Sequence, residues 1–287
     1  MNNTRLDRRR LLGVGAGVVA AAILATVPAA AGSLMDRAKS DGLRVAYFNF
    51  KPYAYIDDDG KLVGEQVDIL RHVLAEMGSK VESELATEWG NLIPGVKSNR
   101  FDVVAAGMFV TPKRCAQVRF SEPTFGIKQA MAVLKGNPKG IANYESVRDM
   151  GLKVGAISGA AQVGFAQQAG VADANIVQLP DNPTGIAALR AGRIDAWAVS
   201  APGVREVVAG VPEGDLESTP AFGEVAGKKT ISHGAYAFRP EDSDFVEAFN
   251  KVLTAFIGSP EHVAIMERHG MTKDELPAQA TAELCGG

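Results

Sequence analysis

Thr111 and Arg114 place a hydroxyl and a guanidinium three residues apart, and such a pair can converge on one carboxylate. They lie in the run 107–114, Gly-Met-Phe-Val-Thr-Pro-Lys-Arg, in which Gly107 and Phe109 precede them. The run predicts a loop whose backbone N–H groups face the same anion. It therefore indicates a binding site for a small carboxylate and does not by itself indicate a reaction. An ordinary surface turn with a solvated arginine is the alternative interpretation.

The residues after this run extend the pattern. Residues 120–123 read Phe-Ser-Glu-Pro, so Gly-Met-x-x-Thr-x-x-Arg is followed shortly by Phe-Ser-x-Pro. This signature resembles the ligand loop of the solute-binding proteins of polar amino-acid ABC importers. The resemblance implies an α/β, two-lobed periplasmic binding protein fold of type II, with the ligand in the cleft between the lobes. It also implies a monomer that needs no cofactor and delivers its ligand to the permease subunits of an ABC transporter.

The bulk composition excludes several classes of protein. With 287 residues, 46% of them hydrophobic and 22% charged, the chain can form one large or two medium domains with buried cores. The formal net charge of −3 and the scattered lysines and arginines give no basic footprint for nucleic acid. Two cysteines and four histidines show no ligand spacing, so no metal site is predicted.

The first 31 residues have the composition of a targeting segment. Arg5 and the three arginines at 8–10 are followed by an apolar stretch at 11–27 and by alanines at 29–31. This order predicts a signal peptide, cleaved after export to the periplasm, and its paired arginines resemble a twin-arginine signal. A membrane anchor is the competing interpretation, because the apolar stretch is close to the lower length limit of a spanning helix.

The two cysteines are Cys115, beside the candidate ligand loop, and Cys285, near the C-terminus. An exported chain folds in an oxidising compartment, where disulfides form and persist. We predict that these cysteines pair and so attach the C-terminal tail to the first lobe. Two free thiols are the alternative.

The hydrophobic pattern repeats itself along the chain. Segment 43–105 reads strand, helix, strand, helix, strand, and segment 152–199 reads the same. Alternating strands and helices imply mostly parallel sheets, with ligand loops beyond the carboxyl ends of the strands. We therefore predict two mixed or parallel sheets. Segments 129–134 and 231–238 are predicted to cross between them as a two-strand hinge.

These elements define the predicted domain organisation. Residues 1–31 form the signal peptide, 32–133 and 233–287 form a discontinuous first lobe, and 134–232 form the second lobe. Asn99 and Gly192 follow the second helix of each repeat, and we expect both to adopt the left-handed conformation that ends a helix.

Aromatic residues are predicted at the cleft. Tyr53 lies just beyond the first strand, directly after Pro52, and Phe109 belongs to the candidate ligand loop. Two π faces can hold a flat or cationic group between them. Core packing is the alternative, and it applies at least as well to Phe48 and Tyr55.

The resemblance also bears on the ligand. Amino-acid binders of this type carry an acidic residue five positions after the aspartate of their Gly-Arg-x-Asp motif, and it holds the α-ammonium group. This chain has Ser200 there. A hydroxyl cannot neutralise a buried ammonium, so a standard α-amino acid is disfavoured.

Among these proteins, the chain most resembles the ectoine and hydroxyectoine binders. Ectoine is a cyclic amidinium carboxylate, so its delocalised cation needs no α-ammonium clamp. Two positions depart from that pattern: Phe50 replaces an acid, and Ala160 replaces a threonine, although backbone N–H groups at 159–161 can still bind a carboxylate. A betaine, a cyclic imino acid or a polar amino acid therefore stays open as the ligand. The matching runs are 88–95, 100–108, 111–115, 135–139 and 282–285.

An enzyme is the main rival, because exported dehydratases such as cyclohexadienyl dehydratase share this architecture. His233 and Glu122 are the candidate acid or base groups, but a structural role is expected for both, so no catalytic residue is predicted. The predicted ligand-binding residues are Phe50, Tyr53, Trp89, Gly107, Phe109, Thr111, Arg114, Gly159, Ala160, Ala161 and Ser200.

Overall fold

The structure is a computed structural model that describes residues 33–286. The predicted signal peptide at 1–31 lies outside the described residues. Between residues 33 and 286, no helix combines the length and the apolar character needed to span a bilayer.

Short strands make up two main sheets and two small hairpins. In the described part of the chain the strands are β1 (Leu43–Tyr47), β2 (Tyr55–Ile56), β3 (Leu62–Val63), β4 (Val81–Ala86), β5 (Val103–Phe109), β6 (Arg119–Phe120), β7 (Phe125–Ile127), β8 (Gln129–Leu134), β9 (Val154–Ile157), β10 (Ile176–Leu179), β11 (Ala196–Ser200), β12 (Leu216–Ser218), β13 (Glu224–Val225), β14 (Lys228–Lys229) and β15 (Ser232–Phe238).

Helices connect most of these strands. They are α1 (Leu34–Ser40), α2 (Glu65–Glu76), α3 (Leu92–Lys97), α4 (Pro112–Cys115), α5 (Tyr144–Asp149), α6 (Ala161–Gln168), α7 (Asn182–Arg190), α8 (Ala201–Ala209), α9 (Ser243–Phe256), α10 (Pro260–Arg268) and α11 (Thr281–Gly286), with 3-10 turns at Trp89–Asn91, Asp173–Asn175 and Lys273–Glu275.

Both main sheets are mixed. The first has the order β4-β1-β5-β15-β6, with β7 also paired to β15. Within it β1 is parallel to β4 and β5, whereas β15 is antiparallel to its neighbours. The second has the order β10-β9-β11-β8-β12, in which β9 is parallel to β10 and β11, whereas β8 is antiparallel to both of its neighbours, β11 and β12. The predicted α/β fold with two mixed sheets is confirmed.

The chain passes between the two sheets twice. It leaves the first sheet after β7 and enters the second at β8, and it returns to the first at β15. The segments predicted as crossovers are these two strands, β8 and β15. The predicted lobe boundaries, 133/134 and 232/233, fall within them and stay predictions.

Both predicted repeats form in the expected order of elements. Asn99 has φ +58° and Gly192 has φ +64°, so both helix exits are left-handed as predicted. The largest difference is at β5, which was predicted to end at residue 105 and continues to Phe109. It continues because Met108 and Phe109 pair with Ala235 and Gly234 of β15, a contact that the local pattern cannot reveal.

Helix α9 covers the first sheet with one apolar face. Phe245, Phe249, Leu253 and Phe256 recur at helical spacing and are all buried. The ring of Phe249 lies 5.5 Å from that of Phe238 in β15, in an edge-to-face arrangement. This packing completes the first sheet with residues from the end of the chain, which the sequence predicted.

A disulfide joins Cys115 to Cys285, with 5.7 Å between their Cα atoms. The pairing predicted from the sequence is therefore present. Before Cys285, the Thr281 hydroxyl donates to the Ser121 carbonyl at 2.6 Å, and the Thr281 N–H donates to the Glu122 carboxylate at 3.0 Å. The tail is thus held to the first sheet by a covalent bond and two hydrogen bonds.

Two helix glycines should respond to alanine substitution with opposite signs. A Cβ at Gly185 in α7 would lie 2.5 Å from the buried Trp197 ring, whereas a Cβ at Gly164 in α6 would meet open space. Gly185→Ala should therefore destabilise the protein by about 1–3 kcal/mol through overpacking. Gly164→Ala should stabilise it by up to about 1 kcal/mol, because alanine is the better helix former. Urea unfolding measures both, and equal effects would contradict the packing described at Trp197.

Candidate functional site

The predicted ligand loop is a strand end followed by a short helix. Phe109 is the last residue of β5, and Thr111 is the N-cap of α4, where its hydroxyl accepts the Arg114 N–H at 3.4 Å. Pro112 occupies the first helical turn, a position in which its missing N–H costs nothing. The expectation of a loop across 107–114 was therefore wrong for residues 107–109, because β15 pairs with that segment.

Arg114 is a buried cation without an anionic partner among the described residues. Its side chain is 8% exposed. Nη1 donates to the Phe109 carbonyl at 2.8 Å, and Nη2 donates to the Gly159 carbonyl at 3.3 Å. Among residues 33–286 Arg114 forms no ion pair with a carboxylate, and burial lowers the pKa of Arg114 to about 10. An uncompensated buried charge costs several kcal/mol, so an anion bound here would stabilise it.

Aromatic rings line the cleft next to this guanidinium. The Arg114 guanidinium carbon lies 5.6 Å from the centre of the Trp89 ring. Phe50 and Tyr53 meet edge to face at 5.7 Å, and Phe109 lines the same space. The cleft encloses about 380 Å³ when the solvent at its open mouth is included.

The opposite wall comes from the second sheet and the helices that follow its strands. Ile157 ends β9, Val199 lies in β11, and Ala160 is the N-cap of α6. Because the Ala160 side chain cannot cap, no side chain of the described residues bonds the first-turn N–H groups of Ala161 and Gln162. A helix start of this kind can receive a carboxylate oxygen.

Tyr53 and Ser200 join the two walls. The Tyr53 hydroxyl donates to Ser200 Oγ at 2.8 Å, and Ser200 Oγ in turn accepts the Gly203 N–H at 3.2 Å as the cap of α8. Burial raises the pKa of the Tyr53 hydroxyl. A Cβ at Gly107 would lie 2.8 Å from the Tyr53 ring, and Gly107 has φ +63°, so only glycine fits there.

Most of the residues predicted from the sequence come together here. Thr111, Arg114 and Gly159 are not among the lining residues of the cleft, but Gly159 accepts hydrogen bonds from Arg114 and from Trp89, which lines it. Their roles in binding stay predictions. The predicted residues that line the cleft are Phe50, Tyr53, Trp89, Gly107, Phe109, Ala160, Ala161 and Ser200.

Sequence reasoning missed four lining residues, Ala106, Ile157, Gln162 and Val199. Ala106 and Val199 directly precede a selected residue and Gln162 directly follows one, so extending each selected segment by one residue would have found all three. Ile157 ends the predicted strand 152–157. The contact made by Gln162 could not be read from the sequence. The Gln162 Nε2 donates to Gln129 Oε1 at 2.8 Å, a contact between α6 and β8 that exists only in the folded chain.

The two acid or base candidates do not line the cleft. His233 is buried in β15, where its Nε2 accepts the Ala278 N–H at 3.4 Å. Glu122 accepts the Thr281 N–H. Both side chains therefore serve the attachment of the C-terminal tail. The arrangement of the cleft can bind a carboxylate at one end and a flat or cationic group between aromatic rings at the other.

A comparison with protein families decides the class. The model of the bacterial extracellular solute-binding proteins, family 3, matches residues 43–272. The chain belongs to this family. It is a solute-binding protein of an amino-acid-type ABC importer. A similar protein is a probable amino-acid ABC transporter periplasmic-binding protein of Sinorhizobium fredii, 33% identical over 257 residues that cover 88% of this chain and 85% of the relative.

Solved structures of solute-binding proteins resemble it as well. The crystal structure of EhuB in complex with hydroxyectoine superposes with a TM-score of 0.79 at 29% identity, covering 88% of this chain and 97% of that one. An ancestral arginine-binding protein bound to arginine gives 0.70 at 28% identity, covering 79% and 97%. The type II periplasmic binding protein fold expected from the sequence is confirmed.

Proposed function

We propose that this solute-binding protein captures a small carboxylate solute in the periplasm, by closing two lobes over it, and delivers it to an ABC permease. The observation that carries the proposal is Arg114, a buried guanidinium without an acidic partner among residues 33–286, beside an aromatic cleft. A bound carboxylate would supply the missing counter-charge through charge-assisted hydrogen bonds. Binding and release require no covalent step.

The cationic group of the ligand, opposite its carboxylate, is the basis for a proposal about the ligand class. Among the described lining residues of the cleft, none is acidic. A primary ammonium would therefore be buried without a counter-ion, whereas a delocalised or alkylated cation is stabilised by aromatic faces. Ectoine and hydroxyectoine have such a cation together with a carboxylate, and the similarity to the hydroxyectoine complex supports them as first candidates. Glycine betaine and cyclic imino acids fit the same reasoning.

Closure is supported by contacts between the two walls. Tyr53 bonds Ser200, and Trp89 Nε1 donates to the Gly159 carbonyl at 3.2 Å. Each pair takes one residue from the first-sheet side and one from the second-sheet side. Ligand release requires these contacts to separate, which makes hinge bending at β8 and β15 the proposed motion.

A thermal-shift screen tests the function directly. The mature protein, beginning at residue 32, is heated with ectoine, hydroxyectoine, glycine betaine, proline, glutamine or arginine. We expect the first two to raise the midpoint most, because binding to the folded state alone stabilises it. A shift with arginine or glutamine alone would retain the transport function and contradict the proposed ligand class. No shift with any carboxylate would contradict the binding function itself.

Phe50→Glu tests the identity of the cation. A carboxylate at this cleft position should strengthen ectoine binding about 5- to 10-fold by pairing with the amidinium. Phe50→Gln is the matched control, since it has the same shape without the charge and should weaken binding through loss of the ring. Calorimetric titration with ectoine measures both variants. Equal affinity of the Phe50→Glu and Phe50→Gln variants for ectoine would place the cation away from residue 50.

A further inference from the structure

The C-terminal segment 269–286 is attached at several points to the first-sheet side of the protein. His269 at its start contacts Asp68 of α2 through Nε2, at 2.9 Å. Further on, the Ala278 N–H bonds His233 of β15, one of the two strands by which the chain passes between sheets. Its end is attached by Cys285 to Cys115 of α4. This segment is therefore fixed to the first-sheet side over its whole length.

Arg205, from the second-sheet side, reaches this segment. Arg205 lies in α8, which packs on β8, β11 and β12. Its Nη2 donates to the Gly270 carbonyl at 2.9 Å and to the Glu275 carboxylate at 3.1 Å. We call these three residues, Arg205, Gly270 and Glu275, the clasp.

The Glu275 carboxylate, the acceptor of the clasp, is also held by a contact that does not involve Arg205. The Thr272 N–H donates to Glu275 Oε2 at 2.8 Å, and the two residues form a capping box at the 3-10 turn. The Glu275 side chain is only 14% exposed, whereas Arg205 is 46% exposed. A preorganised acceptor loses little freedom when it binds, so the contact retains more of its free energy than a pair of two mobile side chains.

The clasp lies close to the cleft without lining it. Arg205 and Glu275 are absent from the cleft lining, yet both are near enough to affect the pKa of the Tyr53 hydroxyl: Glu275 raises it and Arg205 lowers it. Tyr53 itself bonds Ser200, the N-cap of the helix that carries Arg205. Movement of α8 away from the first sheet would therefore break the clasp and the Tyr53 contact together.

We propose that Arg205 and Glu275 are positioning residues that set the closed fraction of the protein, and with it the ligand affinity, without touching the ligand. The proposal rests on the two-lobe closure of the proposed function. Affinity scales with the fraction of molecules in the binding-competent state, so a contact made only in the closed form changes the apparent Kd by changing that fraction. The clasp is partly exposed, so its effect should decrease with salt.

Single-molecule energy transfer on the ligand-free protein tests this, with dyes on unnatural amino acids at the exposed positions Asp58 and Asp173. We expect Arg205→Ala and Glu275→Gln each to lower the closed-to-open ratio about 3- to 5-fold in low salt, and the double variant to add nothing further. The control is Arg190→Ala, which removes a similarly exposed pair with Asp215 that lies wholly on the second-sheet side. Its ratio should equal that of the wild type.

The outcomes separate the clasp from the proposed function. Two states whose ratio is the same in wild type and in both clasp variants would overturn the clasp and leave closure standing. A single ligand-free state that no clasp variant or salt concentration changes, but that a bound solute shifts, would overturn the clasp alone. A single state that saturating ectoine and glycine betaine also leave unchanged would overturn closure and the clasp together. A closed-to-open ratio that is lowered in both clasp variants and unchanged in Arg190→Ala would support the clasp, provided that the difference from the wild type becomes smaller at about 0.5 M salt, where screening is strong.

Discussion

Replacing Arg114 with methionine should weaken binding of a carboxylate solute by at least about 100-fold while leaving the fold intact. Methionine retains much of the buried volume and removes the charge that the solute needs. The folded protein loses only two hydrogen bonds to carbonyls, and it no longer buries an uncompensated cation. We therefore expect the free energy of unfolding to change by less than about 1 kcal/mol. Calorimetric titration and urea unfolding measure the two effects separately.

Arg239→Met is the matched control for this prediction. Arg239 is as buried as Arg114, but it forms ion pairs with Asp102 at 3.4 Å and with Asp242 at 2.9 Å. Its removal leaves the buried Asp242 carboxylate without a cation, although Asp102 keeps its pair with Arg44 at 2.8 Å, and should destabilise the fold by about 3 kcal/mol. Binding by the molecules that remain folded should be unchanged. If the two variants lost stability equally and bound equally well, Arg114 would be a structural arginine.

The disulfide gives the second large effect. Cys285→Ser opens a loop whose ends are 170 residues apart in the sequence. The chain-entropy account assigns about 3–5 kcal/mol to closing such a loop in the unfolded state. We expect the free energy of unfolding to fall by that amount, with hydrogen bonds from Thr281 still holding part of the tail.

Reduction of the wild type is the control for the serine variant. Unfolding of the wild type in reducing buffer should give the same loss, since both treatments open the same loop. Cys115→Ser should also match Cys285→Ser, because each removes the same bond. A loss below about 1 kcal/mol would contradict the assignment of this disulfide's stabilisation to its constraint on the unfolded chain.

Local sequence signals were enough to predict the order of elements. Helix periodicity located α6 at Ala161–Gln168 and α9 close to its observed bounds, and the left-handed exits at Asn99 and Gly192 followed from residue type. These signals work because each depends on neighbours within a few residues. The end of β5 was predicted wrongly since its last residues pair with β15, more than a hundred positions away.

In the candidate site too, the sequence predicted residues that local signals identify and did not predict contacts between distant segments. Arg114, Thr111 and the aromatic residues were found by type and spacing, but their mutual geometry was not. The sequence could not show that Ser200 accepts a hydrogen bond from Tyr53. This contact joins segments from the sides of different sheets, and it requires the folded chain. The same is true of Arg205, which no sequence signal selected.

The central claim is that the cleft holds a solute by its carboxylate. Titration calorimetry of the wild-type protein with ectoine, and with the carboxamide of ectoine, tests it most directly, with glycine betaine and its amide as a second matched pair. The account predicts one-to-one binding of the carboxylate form and at least about 100-fold weaker binding of the amide, because only the carboxylate compensates the buried Arg114. Equal affinity for a carboxylate and its amide would contradict it.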